Sequence, residues 1–123
     1  AAGVQDMAKR MRHGIEAWRN DRNGKALKLL APLGDKVTST PSLQFALALL
    51  YFEKGDIEKS AVAAERAVKA NPTSVNFHRT HGMILMRLGR TEAARSALER
   101  ALELDESDVT SRTLLKRLEK ESV

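Results

Sequence analysis

Apolar residues recur along this chain at the spacing of helices, and nowhere do they alternate over a strand-length stretch. Met7, Met11, Ile15 and Trp18 stand three and four apart, one stripe of a helix running from Met7 to near Asp21. A turn at 20–24 leads into a second helix through Leu27, Leu29 and Leu30, which Pro32 ends or kinks because proline lacks the amide donor and clashes with the preceding turn. Thr40 then caps a helix that has Pro41 at its first position and runs to Lys54, with Gly55 as terminator. Asp56 caps the next, which reaches Ala70 before Asn71-Pro72. The same order follows again: Ser74 as cap, Gly89 as terminator, Thr91 as the next cap, a last turn near Leu104. Beyond Asp108, residues 109–121 read as one solitary helix with Leu114, Leu115 and Leu118 on a common side. The prediction is seven helices and no strands.

These elements repeat every 34 residues. Gly14, Ala48 and Gly82 fall in register, as do Ala26, Ser60 and Ala94, then Leu33, Ala67 and Ala101. Thr40, Ser74 and Asp108 precede the successive repeats, all of them good N-cap residues. A fixed period in this range marks stacked helix pairs, each burying an apolar face that its neighbour could not bury alone. The repeats span 7–40, 41–74 and 75–108 of a single domain, and the solitary helix covers the last of them.

Charge and composition narrow the chemistry. The net charge of +5 is uneven: eight Lys/Arg stand against four Asp/Glu in residues 1–40, while the second repeat is balanced. A basic first repeat could meet nucleic acid or an acidic peptide, but its cations (Arg10, Arg12, Arg19, Arg22, Lys25, Lys28) do not form one stripe interleaved with aromatics, as single-strand binders need. Nucleic-acid binding is therefore the least favoured reading. With no cysteine, disulfides and thiolate metal sites are excluded. No apolar run approaches the roughly 18 residues of a membrane span, and the start lacks a signal-peptide pattern. The expectation is a soluble protein, cytoplasmic or periplasmic. His78 and His81 are three apart, yet lack a third ligand, and they read as packed or hydrogen-bonded histidines; His13 and His81, both at the seventh repeat position, read as facing the paired helix. No phosphate loop and no nucleophile setting is present. Nothing supports catalysis or a cofactor.

The residues in register resemble the tetratricopeptide repeat, a helix–turn–helix unit. Its signature places small residues at the eighth position (Gly14, Ala48, Gly82) and the twentieth (Ala26, Ser60, Ala94). Tyr51 and Leu85 supply the large residue at the eleventh, and Pro72 the proline at the thirty-second. The first repeat is degenerate, with Ala17 at the eleventh position, and Arg10, Gln44 and His78 make the fourth unusually polar. The resemblance implies an all-α, right-handed α-solenoid of antiparallel pairs, whose first helices line a concave face. Its groove positions hold Met11, Phe45 and Arg79; Ile15, Leu49 and Met83; Trp18, Phe52 and Met86; and Arg19, Glu53 and Arg87. That is an apolar, methionine-rich floor bordered by Arg19, Arg79 and Arg87, suited to an amphipathic segment with acidic residues. A clamp for a C-terminal carboxylate is disfavoured, since Met11 and Ile15 cannot donate to one.

First helices also pack on one another, so part of the stripe is core. The groove is either open or filled, by the end helix, a second copy or neighbouring repeats. Two functions follow: an adaptor, scaffold or holding chaperone that binds a protein or peptide, or a self-associating segment of a larger secretion, pilus or export assembly.

Overall fold

The computed structural model describes residues 2–121. Within them lie seven α-helices and one 3-10 turn: α1 (Ala2–Arg19), α2 (Asn23–Leu30), α3 (Pro41–Lys54), α4 (Ile57–Ala70), α5 (Val75–Arg87), α6 (Thr91–Leu104) and α7 (Val109–Glu121), with the 3-10 turn at Ala31–Leu33. Three antiparallel pairs, α1/α2, α3/α4 and α5/α6, stack in chain order, and α7 lies against α6 and α5. The fold is the all-α superhelix expected. No helix among the described residues is long and apolar enough to cross a membrane.

The three hairpin turns share one geometry, 34 residues apart. Asp21, Gly55 and Gly89 adopt positive φ (58°, 96° and 74°). The following amides, of Arg22, Asp56 and Arg90, donate back to the carbonyls of Ala17, Tyr51 and Leu85 at 2.8, 2.9 and 3.0 Å. These are the six-to-one bonds that close helix C-termini. Glycine is the residue best suited to the left-handed position; in the first pair aspartate takes it instead. Gly24, although in the expected turn, is already helical.

Several boundaries differ from the sequence reading. α1 starts at Ala2 rather than Met7, the single glycine between them, Gly3, being carried within the helix. α2 stops at Leu30, and Pro32 sits in the 3-10 turn that follows, so the first pair's second helix has 8 residues against 14 in α4 and α6. Thr91 is the first residue of α6, not its cap; Arg90 holds that position. Thr40 and Asp56 stand at their caps without a side-chain bond. Ser74 and Asp108 do cap: Ser74 Oγ accepts from Phe77 N at 3.2 Å, and Asp108 Oδ2 from Ser111 N at 3.3 Å.

The small residues in register sit where paired helices touch. A Cβ on Gly14 would lie 2.4 Å from Leu30 Cδ2, and one on Gly82 would lie 2.7 Å from Leu98 Cγ. In the second pair the same two positions are Ala48 and Ala64, so one alanine couple replaces glycine plus leucine. There Ser60 Oγ also donates to Ala48 O at 2.6 Å.

The polar fourth positions are each spent on backbone. Arg10 Nε donates to Leu29 O (2.9 Å), Gln44 Nε2 to Gly34 O and Val37 O (2.8 and 3.0 Å), and His78 Nε2 to Pro72 O (2.8 Å). Gln44 is fully buried, and its two bonds satisfy carbonyls freed where the helix gives out after Leu30.

Candidate functional site: the face of the first helices

The first helices of the pairs, α1, α3 and α5, are tied directly by aromatic rings. The Trp18 and Phe45 centroids lie 6.4 Å apart at 82°, an edge-to-face contact, and Phe45 stacks on Phe77 at 4.8 Å. The apolar stripe is thus continuous across three helices. Phe77 was not among the groove positions expected. It stands at the third repeat position, where the second repeat has the fully buried Leu43, so its residue type alone marks it as core.

None of the eleven expected groove residues is buried. Met11, Ile15, Trp18, Phe45, Leu49, Phe52, Arg79 and Met86 are half-buried, while Arg19, Met83 and Arg87 are exposed. Met11, Ile15, Trp18 and Phe52 rest on the core shared by the first two pairs, and Met86 on that of the third pair and α7. Met11, Ile15 and Arg19 also line an open depression along α1, together with Ala8, Arg12, Glu16 and Asn20. The last four follow the same helical spacing as the stripe.

The three border arginines differ in state. Arg19 and Arg87 are the last residues of α1 and α5, where a cation favours the helix C-terminus. Arg87 lies 5.9 Å from the Phe52 ring, a cation–π approach. Arg79 is bound instead. Its Nε and Nη2 donate to the Asp108 carboxylate at 3.1–3.3 Å, and Nη1 donates to Asn76 Oδ1 at 3.0 Å. Asp108 also receives the Ser111 hydroxyl and amide, and its side chain is only 11% exposed. The Arg79 hydrogen bonds, with help from Ser111, hold the Asp108 carboxyl below its usual range.

Among the described residues no group of three or more His, Cys, Asp or Glu is placed to hold a metal ion. Burial pushes the His81 pKa down, partly countered by Glu65 of α4. His81 thus lies within electrostatic range of the preceding pair, and Leu47, at the same repeat position, lies against Gly34 of the pair before it. His13 has no preceding pair among the described residues and is exposed, contrary to the packed histidine expected.

Comparison with known proteins agrees with this architecture. Profiles described as tetratricopeptide repeat match residues 11–75 and 80–108. The peroxisomal targeting signal receptor of Saccharomyces cerevisiae is 32% identical over 93 residues, which cover 75% of this chain and 15% of that protein. The chain thus spans a small part of this relative's length. The first TPR of Spaghetti (RPAP3) bound to HSP90 peptide SRMEEVD superposes with a TM-score of 0.79 at 19% identity, covering 95% of this chain and 93% of that one. MamA superposes with a TM-score of 0.84 at 13% identity, covering 94% and 68%. The profile over 11–75 spans more than half of the sequence, and on that ground the chain belongs to the tetratricopeptide repeat family.

Proposed function

We propose that this chain is a protein-interaction module that holds an amphipathic segment of a partner against the face built by α1, α3 and α5. The observation that carries the reading is the continuous Trp18–Phe45–Phe77 ring contact, which leaves a half-exposed aromatic stripe across three helices. Met11, Ile15, Leu49, Phe52, Met83 and Met86 extend this surface, and Arg19 and Arg87 edge it with positive charge. The similar targeting signal receptor and the similar TPR domain bound to an HSP90 peptide support a peptide partner in general terms. Aromatic anchors of this kind carry most of the energy of such contacts, about 2 kcal/mol or more each.

The test is capture of a partner from the native source with wild type, Phe45→Asp and Leu49→Asp in parallel. A charge placed on the stripe is expected to weaken binding at least about thirtyfold, the equivalent of those 2 kcal/mol, while circular dichroism stays helical. Trp18 is the only tryptophan, so its fluorescence reports occupancy of the face directly. Retention of full affinity by both folded variants overturns the reading.

A further inference from the structure

Arg79 stands at a groove-lining position with its charge already satisfied from within the chain. Two of its nitrogens meet Asp108, a residue 29 positions later that opens α7. A third meets Asn76. The carboxylate is fixed on its other side by Ser111, so the N-terminus of α7 holds it in place. Yet the arginine side chain keeps 27% of its surface exposed, and a guest can reach it. By contrast, neither Arg19 nor Arg87 has a carboxylate partner among the described residues.

We infer that Asp108 occupies at Arg79 the place a guest carboxylate would take, so that acidic residues of a partner are read only along the edge marked by Arg19 and Arg87. This inference rests on the proposed use of that face. Asp108 is a specificity determinant acting by exclusion. A guest carboxylate aimed at Arg79 would have to displace one that is already bidentate, and would leave Asp108 nearly buried without its cation. Segments neutral or apolar at that end are accepted, and segments acidic there are rejected. The same ion pair also ties the start of α7 to α5, beside the apolar packing of Leu114, Leu115 and Leu118.

The test uses fluorescein-labelled peptide SRMEEVD, which carries three acidic side chains, as an acidic probe in low salt. Asp108→Asn keeps a good N-cap and removes the charge that masks Arg79; Asp108→Ser is a second variant should α7 loosen in the first, as seen by circular dichroism. Fluorescence anisotropy should show at least tenfold tighter binding for the unmasked protein, steeply reduced by added salt. Adding Arg79→Gln should return it to the wild-type level. Equal affinity of wild type and both unmasked variants, including no binding by any of them, overturns the inference. So does a gain that survives Arg79→Gln. This result is separate from the partner capture above: an unchanged Phe45→Asp refutes the face, whereas an unchanged Asp108→Asn refutes only the mask.

Discussion

The exchange of volume between Gly82 and Leu98 offers a direct test of the repeat register. A methyl group on Gly82 would lie 2.7 and 2.8 Å from Leu98 Cγ and Cδ2, about 1 Å inside the optimum for carbon contacts. Leu98 is fully buried in the cluster that holds Leu85 and Leu118, so it has little room to retreat. Gly82→Ala should gain about 1 kcal/mol of helix propensity and lose about 1–3 kcal/mol to overpacking, a net cost of up to about 2. Leu98→Ala should cost about 2–5 kcal/mol through the cavity it leaves. The double variant recreates the couple that the second pair already uses, Ala48 with Ala64, both buried. It relieves the overpacking and refills part of the cavity, so it should cost at least about 1 kcal/mol less than the sum of the single changes. Urea denaturation followed by far-UV circular dichroism measures all four proteins. Additivity within about 0.5 kcal/mol would show that these residues do not share one contact, and would refute the volume exchange.

Further outcomes follow from single contacts. Asp21→Gly should stabilise the protein by about 0.5–1 kcal/mol in a thermal melt, because aspartate holds a left-handed turn that glycine adopts without strain. Gln44→Leu should cost about 1 kcal/mol in the same assay by stranding Val37 O, while Gly34 O keeps a bond from Arg66 Nη1 at 3.1 Å. The His81 pKa is lowered in the fold, so the unfolded chain binds the proton more tightly. Stability should therefore fall as pH drops below the usual histidine value of 6.5, and His81→Gln should flatten that part of the profile. For Asp108 the carboxyl is also depressed. Its contribution is complete above the usual value of 3.8 and is lost as pH falls further, a loss absent from Asp108→Asn in acid titrations followed by circular dichroism.

The second and third pairs were legible because period, proline and glycine agree there: Pro41, Gly55, Asn71-Pro72 and Gly89 all stand at element ends in the structure. The first pair was less so. Its left-handed turn residue is Asp21 rather than glycine, and its second helix gives way to a 3-10 turn followed by a stretch whose Gly34 and Val37 carbonyls accept from Gln44 of the next pair. That is a tertiary contact, invisible to local pattern. For the candidate site, repeat register placed the eleven residues on surfaces that remain at least partly open. It did not give the state of Arg79, whose partner lies in another element. Nor did it give Phe77, whose position in the neighbouring repeat is interior. Spacing assigns a side chain to a face, whereas charge pairing between elements depends on the stacking itself.

Adjacent residues of α5 belong to different cores. Ile84 joins the cluster of the first two pairs, and Leu85 the one shared with α6 and α7. This helix is the rivet between the two apolar blocks, which are otherwise bridged by the exposed Arg90–Glu58 ion pair, and fluctuations should respect it. Amide protons of α7, attached chiefly through Ser111, Leu114, Leu115 and Leu118, should exchange with solvent soonest by fraying, and those of α5 should persist until both blocks come apart. A truncation that removes α7 would then shorten the lifetime of the third pair while leaving the first two nearly untouched.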